Sequence, residues 1–453
     1  MKPRAAVALL VLAGVFAYVV FEWGGVVRTG RYEYLLALGL LGIVLSLSRA
    51  REDVGPPPSR IVRSAAILLP AYVFLQVVPL PLAILRVLSP ARASAVIALN
   101  PVGAKVTFAS LSVYPAGTFQ YFLLVCGYLL VSLLVRDLTI CFPNSPWVLV
   151  WPVLAVAALE SVLGLCQHFG GPGEQVRWGT YANHNHYAGL LEMALPFAVM
   201  YPFAILHKSR SWWHSRMAPA LAACGACALA GLILTGILFS SSRMGFIAAG
   251  SSLFLMGSLV FGARKLGWLA RSRTRRGVAV GALAAMTLSC FVFLPPDRLI
   301  VRFAELFSAD GLTTEGRTSL WAETIPLIRA YPVFGCGLGG YGTAFSKFDV
   351  SGPLYIDEFA HNDYLQLLAE LGLVGFIVCA ALAFSIVRAA FLGAVRLPGA
   401  QARYLAVACA GALAAIGLHS FVDFNLYIPA NAMLLAWIAG TICAGRFASE
   451  AHA

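Results

Sequence analysis

The chain has 453 residues, of which 60% are hydrophobic and only 11% are Asp, Glu, Lys or Arg. A water-soluble domain carries about a quarter charged residues, so this composition excludes a soluble globular protein. The formal net charge of +12 would suit nucleic acid in a soluble protein. Here the basic residues lie between long apolar runs, which is typical of membrane topology, and no nucleic-acid partner is expected.

The apolar runs predict an all-α integral membrane protein with about twelve transmembrane helices. Helices are expected because lipid offers the backbone no hydrogen-bond partners, so each segment must satisfy its own N–H and C=O groups. The short alternating segments of a membrane β-barrel are not seen. In chain order the predicted spans are 5–22, 33–48, 64–84, 119–135, 147–168, 187–206, 218–239, 244–262, 278–294, 373–392, 404–422 and 429–446.

The distribution of basic residues predicts the orientation of these spans. With a cytoplasmic N-terminus, most basic residues fall in cytoplasmic connections, such as the basic run at 264–276, as the positive-inside rule requires. The C-terminus is then cytoplasmic as well. The N-terminal part, 1–147, holds the first four spans, and the core, 148–453, includes a long outer loop at 295–372.

The outer loop at 295–372 gathers many of the few charged residues, and long loops of this kind often carry function. It is also expected to contain short helices. Between Thr318 and Tyr331, Leu320, Thr324 and Leu327 recur at helical spacing. This pattern predicts an amphipathic helix that lies on the membrane or on the helix bundle.

His361 is the first candidate for chemistry, because it opens a predicted helix that ends near Gly372. Asn362 or Asp363 can cap the start of this helix. The positive end of the helix dipole favours a neutral imidazole, which is available as a general base. The alternative is a histidine that is merely hydrogen-bonded at a helix start.

Two arginines on the outer side are candidates for binding an anion. Arg243 ends the run that begins at Ser240, at the outer mouth of the seventh predicted span, and Arg317 precedes the amphipathic helix. Guanidinium is the side chain that best matches phosphate oxygens. The alternative for either residue is a long side chain that reaches the lipid headgroups.

A polar stretch follows Arg177 on the same side, and it consists of Asn183, His184, Asn185 and His186. Histidines two residues apart do not share a helical face, and no Cys or carboxylate stands near them at ligand spacing. We therefore expect contact with a glycan or headgroup rather than a metal site.

Further polar residues occur at or within the predicted spans. His419 and Asp423 are four residues apart, a spacing that predicts one helical face on which the carboxylate orients the imidazole. Glu160 and Glu192 lie inside spans, so each is expected to face the bundle interior, paired or protonated.

Six stretches resemble, in the same order, the O-antigen ligase and polymerase superfamily of bacterial membrane glycosyltransferases. They cover some two-thirds of the chain, from about residue 150 onwards. They are Gly179–Gly189, Ser240–Gly245, Gly316–Trp321, Pro332–Gly339, His361–Gly372 and His419–Pro429. The resemblance implies a bundle of the multispanning C-type glycosyltransferase fold.

The resemblance also implies an activity. Such enzymes need no metal or other cofactor, and they move a glycan from undecaprenyl diphosphate to an acceptor hydroxyl on the periplasmic face of the bacterial inner membrane. It implies that Arg243 and Arg317 hold the donor diphosphate and that His361 deprotonates the acceptor. Candidate glycan or support contacts are Arg177, Asn183, His184, Asn185, His186, Asp363, Tyr364, His419 and Asp423.

Several functions remain open at this point. A lipid A-core acceptor would make the protein a ligase, which we favour, a lipid-linked repeat unit a polymerase, and a protein hydroxyl a protein O-oligosaccharyltransferase. Membrane lipids are partners in each case. A solute transporter is the alternative from another class, but transporters commonly carry internal repeats, and none is visible. A scaffold without catalysis is a third alternative.

Overall fold

The computed structural model describes residues 3–48, 57–99, 105–143, 145–170, 178–209, 217–262, 317–350, 357–397 and 399–445. Within these residues the chain is almost entirely helical, apart from an antiparallel pair of two-residue strands, β1 (Leu80–Pro81) and β2 (Phe108–Ala109). Among the helices of these described residues, eight are long and apolar enough to cross a membrane. The chain is therefore a multi-pass membrane protein.

The described residues form fifteen α-helices. In chain order they are α1 (Pro3–Phe21), α2 (Arg28–Ser48), α3 (Arg60–Leu75), α4 (Leu82–Leu88), α5 (Pro90–Ile97), α6 (Pro115–Cys141), α7 (Trp151–Phe169), α8 (His184–Ser209), α9 (Met217–Phe239), α10 (Arg243–Gly262), α11 (Arg317–Ala330), α12 (Tyr341–Phe345), α13 (Asp363–Arg396), α14 (Ala400–His419) and α15 (Pro429–Gly445). Single 3-10 turns lie at Trp23–Gly25, Pro146–Leu149 and Asn425–Tyr427.

Most of the predicted spans correspond to observed helices. The eight long apolar helices are α1, α6, α7, α8, α9, α10, α13 and α14, and α15 is a shorter apolar helix at the twelfth predicted span. The second predicted span lies within α2. The ninth, 278–294, lies outside the described residues, as does the outer loop from 295 to 316. The total of about twelve spans therefore stays a prediction.

The third span differs from its prediction over 64–84, because α3 ends at Leu75. The prolines that follow at 79 and 81 lack a backbone N–H and disfavour a continuing helix. Gln76 then turns inward, where its side-chain amide donates to the carbonyls of Phe334 and Glu370 at 2.8 and 2.9 Å. These hydrogen bonds connect the end of α3 to the segments that contain Phe334 and Glu370.

The centre of the bundle is formed by α8, which packs against α9 and α14, while α14 also packs against α10. Small side chains of α14, such as Ala408 and Ala412, are buried at these contacts and allow the helix backbones to approach closely. Glu160 and Glu192 are fully buried within the bundle, as predicted. Glu160 accepts hydrogen bonds from the backbone and hydroxyl of Thr180.

The predicted helix from 361 to 372 and the predicted span after it are one bent helix, α13. It breaks at Gly372, where φ is 60° and ψ is −171°, a conformation that only glycine adopts readily. Because of the break, carbonyls of the preceding turn accept hydrogen bonds from outside the helix. Those of Ala369 and Glu370 accept the backbone N–H groups of Cys336 and Gly337 at 2.9 and 3.0 Å. The turn that begins at 335 therefore packs directly on the broken helix.

We expect Gly372→Ala to lower the free energy of unfolding by about 1–3 kcal/mol. A Cβ at this position would collide with the backbone of Val333 and Gly335. The matched control is Gly14→Ala, because Gly14 lies within α1 and no atom comes within 4 Å of its added Cβ. Thermal unfolding of the detergent-solubilised variants measures both changes. Equal stability of the two variants would contradict the proposed constraint at Gly372.

Candidate functional site

The site is organised by Asp423, whose side chain has 0% exposure in the turn between α14 and α15. Its Oδ1 atom lies 3.4 Å from His186 Nε2 and 3.6 Å from His361 Nδ1. Its Oδ2 atom lies 3.9 Å from the Arg317 guanidinium. Two imidazoles and one guanidinium, from three distant parts of the chain, therefore surround a single buried carboxylate.

The first turn of α13 fixes the backbone that carries Asp423. The N–H of Asp363 donates to the carbonyls of Ser420 and Asp423, at 2.9 and 3.1 Å. The carboxylate of Asp363 accepts the N–H of Leu426, and the Tyr364 hydroxyl donates to a carbonyl of α14 at 2.6 Å. Asp363 and Tyr364, both candidate contacts, thus join the start of α13 to α14 and to the turn that carries Asp423.

His361 stands immediately before the helix cap. Of the two predicted candidates, Asn362 is the cap residue, because its side chain accepts the N–H groups of Tyr364 and Leu365. His361 has a φ of 47°, an unusual conformation for a residue other than glycine. Its side chain is 32% exposed. Since Nδ1 faces Asp423, the nitrogen left for a reacting group is Nε2.

The two histidines of the polar stretch point to different places, as their spacing predicts. The His184 ring contacts the ring of Trp178, with centroids 5.0 Å apart. The His186 ring meets Phe424 edge-on at 4.5 Å. The backbone N–H of Asn185 donates to the Asn183 side chain at 2.8 Å, at the start of α8. Of the two histidines, it is therefore His186, near the start of α8, that contacts Asp423.

Arg317 is the first residue of α11, and its side chain is 23% exposed. One turn later on the same face, the Trp321 indole N–H donates to the carbonyl of Ala360 at 2.9 Å. This bond brings the start of α11 beside His361. The buried face of α11 consists of Leu320, Thr324 and Leu327, as the sequence predicts, and it packs with Tyr341 and Phe345 of α12.

Arg243 is the first residue of α10. The hydroxyl of its neighbour Ser242 donates to Asn185 Oδ1 at 2.7 Å. Because Asn185 immediately precedes His186, this hydrogen bond places the start of α10 against the start of α8. Arg243 therefore lies beside the segment that carries His186, although it comes from a different helix.

The N-terminal ends of four helices converge on this region. They carry His186 in α8, Arg243 in α10, Arg317 in α11 and, just before α13, His361. The N-terminus of a helix presents free N–H groups and the positive end of the helix dipole, and it therefore attracts anions. Two arginines and four helix N-termini bring positive charge to this region, and Asp423 lies close to three of these helix ends.

Asp423 stays ionised. Burial alone would raise its pKa, but the nearby imidazoles of His186, His361 and His419 outweigh burial and hold the pKa well below its usual value. The N–H of Phe424 also donates to Oδ1 at 2.8 Å. The His186 and His361 nitrogens lie slightly beyond the usual hydrogen-bond range of 2.7–3.2 Å, so these contacts are close polar contacts.

The structure differs from the prediction that His419 and Asp423 share a helical face. Helix α14 ends at His419, and Asp423 lies in the turn beyond it. His419 Nδ1 instead contacts Glu192 of α8 at 3.0 Å, and both side chains are fully buried. Arg177, another candidate, lies outside the described residues.

Two aromatic residues of the site were not singled out from the sequence. Phe424 meets both His186 and His361 edge-on, at 4.5 and 4.8 Å, and stacks in parallel on Phe359 at 4.1 Å. The phenyl ring thus keeps the two imidazoles in fixed planes beside Asp423. A phenylalanine in a largely apolar chain gives no signal of such a role, although Phe424 does lie within the stretch that carries the family resemblance.

The arrangement combines a cationic surface with an imidazole held by a carboxylate. It is suited to holding an anionic group and to taking up a proton next to it. Within the described parts of the chain, no set of three or more His, Cys, Asp and Glu side chains is arranged to hold a metal ion.

Comparison with known proteins gives one informative result. No curated protein matches the chain. The family model described as O-antigen ligase matches residues 228–380, a segment that includes Arg243, Arg317 and His361. The matched segment is therefore similar to the O-antigen ligase family, in agreement with the resemblance seen in the sequence.

Proposed function

We propose that the protein transfers a glycan from undecaprenyl diphosphate to an acceptor hydroxyl, as an O-antigen ligase does, on the periplasmic face of the bacterial inner membrane. The observation that carries this proposal is the convergence of four helix N-termini, two of which begin with an arginine, around a histidine held by Asp423. That combination suits a reaction in which an anion leaves and a hydroxyl loses a proton.

The donor diphosphate occupies the electropositive region. Arg243 and Arg317 neutralise the charge that develops on the leaving diphosphate, with help from the helix ends behind them. The 3.9 Å separation of Arg317 from Asp423 is much longer than the 2.7–2.9 Å of a strong charge-assisted hydrogen bond. A phosphate oxygen can therefore compete with Asp423 for this guanidinium.

His361 acts as the general base. Its Nε2 atom accepts the proton of the acceptor hydroxyl while the hydroxyl oxygen attacks the anomeric carbon of the donor glycan. The bond from this carbon to the diphosphate breaks, and undecaprenyl diphosphate leaves with the electron pair. Asp423 faces Nδ1, so it orients the ring and stabilises the imidazolium that forms. No metal ion takes part in this proposed mechanism.

Transfer by the purified protein tests the function directly. The protein in lipid nanodiscs is given a lipid-linked glycan and, in turn, a lipid A-core, a second lipid-linked glycan and a Ser/Thr peptide. We expect one of these acceptors to gain the glycan while undecaprenyl diphosphate is released in equal amount. Absence of transfer to all three, with movement of lipid-linked glycan across a proteoliposome membrane, would indicate a transporter instead.

We expect Arg243→Ala and Arg317→Ala each to lower turnover by about a hundredfold or more, the scale for losing a group that stabilises developing charge. The Lys variants should recover only part of this loss, because a point charge lacks the planar fork of guanidinium. Turnover and donor affinity are measured with protein of matched expression and thermal stability.

The matched control for the arginines is Arg329→Ala, which removes an exposed guanidinium from the last turn of α11. This variant should transfer glycan at the normal rate. Full activity of either Lys variant at Arg243 or Arg317 would argue for simple charge balance and against specific binding of the diphosphate.

We expect His361→Ala to reduce turnover by about a hundredfold or more, the usual scale for a lost acid–base group. Donor binding should persist, because the two arginines remain. In the wild-type protein, activity should fall on the acid side as the ring takes up a proton, and EDTA should have no effect. Turnover against pH and the dissociation constant of the donor are the measurements.

Two results would contradict this role for His361. Loss of donor binding with normal turnover of the bound donor would make His361 a donor ligand. Inhibition by EDTA that a divalent cation reverses would require a metal in the mechanism.

A further inference from the structure

His186 is buried, and both its backbone and its ring make specific contacts. It is 5% exposed, and its backbone carbonyl accepts a hydrogen bond from the Asn431 side chain at 3.0 Å. Its ring meets Phe424 edge-on on one side of the site, as His361 does. A polar group buried in this way is expected to have a hydrogen-bond partner.

The only acceptor that the described residues show beside His186 Nε2 is Asp423 Oδ1, at 3.4 Å. The same oxygen faces His361 Nδ1 at 3.6 Å. A shift of a few tenths of an ångström would bring either nitrogen into hydrogen-bond range. One carboxylate oxygen therefore lies between the proposed base and a second imidazole.

We propose that His186 is a positioning residue: it donates its Nε2 proton to Asp423 and so sets how strongly this carboxylate holds a proton on His361. The proposal rests on the function proposed above and adds a residue that touches neither substrate. In this role the Nε2 atom of His186 carries the donated hydrogen. Its hydrogen bond fixes the orientation of the carboxylate and offsets part of its charge.

Loss of the His186 donor has a definite electrostatic consequence. A carboxylate with one donor fewer acts more strongly on His361 and favours the imidazolium. The base would then be protonated, and therefore inactive, up to a higher pH. Other charged or titratable groups also act on His186, Asp423 or His361. They are Arg317 of α11, His419 of α14, Glu192 of α8, Asp363 of α13 and Asp357 ahead of His361.

Two substitutions separate the donor from the packing of the ring. His186→Leu fills a similar volume without a donor, whereas His186→Gln supplies an N–H donor that does not titrate. We expect His186→Leu to lower kcat about tenfold, equivalent to about 1.4 kcal/mol in the barrier. The acid limb of its pH–rate profile should move up by about half to one pH unit. His186→Gln should restore both properties, and the KM for the lipid-linked donor should not change in either variant.

The control is His168→Leu, because within the described residues the ring contacts of His168 are edge-on ones with Phe169 and Phe239, at the end of α7. It should leave kcat and the pH profile unchanged.

Normal kinetics of His186→Leu, or equal loss in the Leu and Gln variants without a pH shift, would overturn the proposal. If His186→Leu does not fold, the Gln variant decides alone. Wild-type-like kinetics support the donor role, and a loss of kcat contradicts it. Failure of the wild-type protein to transfer glycan would refute the proposed function itself.

Discussion

A carboxylate with no access to solvent must be neutralised by its neighbours, and Asp423 imposes this requirement on the whole site. An unpaired buried charge costs several kcal/mol, so the turn that carries Asp423 is stable only when cationic or donor groups approach it. These groups come from the starts of α8 and α11 and from the residue before the cap of α13. The arrangement of three helices is thereby tied to one ionised side chain.

The position of His361 depends on the break in α13. The first part of this helix carries the cap and the contacts to the Asp423 turn, and the part after Gly372 continues as an apolar helix. The carbonyls that the break exposes are bonded by the turn at 335–337 and by Gln76, which lies just after α3. An early helix, far from the site in sequence, therefore supports the segment that presents the proposed base.

Local patterns in the sequence predicted local structure well. The apolar runs located most of the observed helices, the spacing of Leu320, Thr324 and Leu327 predicted the buried face of α11, and the cap is Asn362, one of the two predicted candidates. The partners of Asp423 were not predictable, because they come from distant segments. The spacing of His419 and Asp423 misled for a related reason. It assumed a helix that continues, whereas α14 ends at His419, and the carbonyl of Ser420 bonds to α13 instead.

Under the proposed function, donor binding and base strength are coupled through Asp423. In the structure, Arg317 compensates part of the charge of this carboxylate from 3.9 Å. A diphosphate that draws the guanidinium towards itself leaves Asp423 with less compensation and adds negative charge nearby. Both changes favour a proton on His361. The bound donor therefore stabilises the imidazolium that forms when His361 takes the proton of the acceptor hydroxyl.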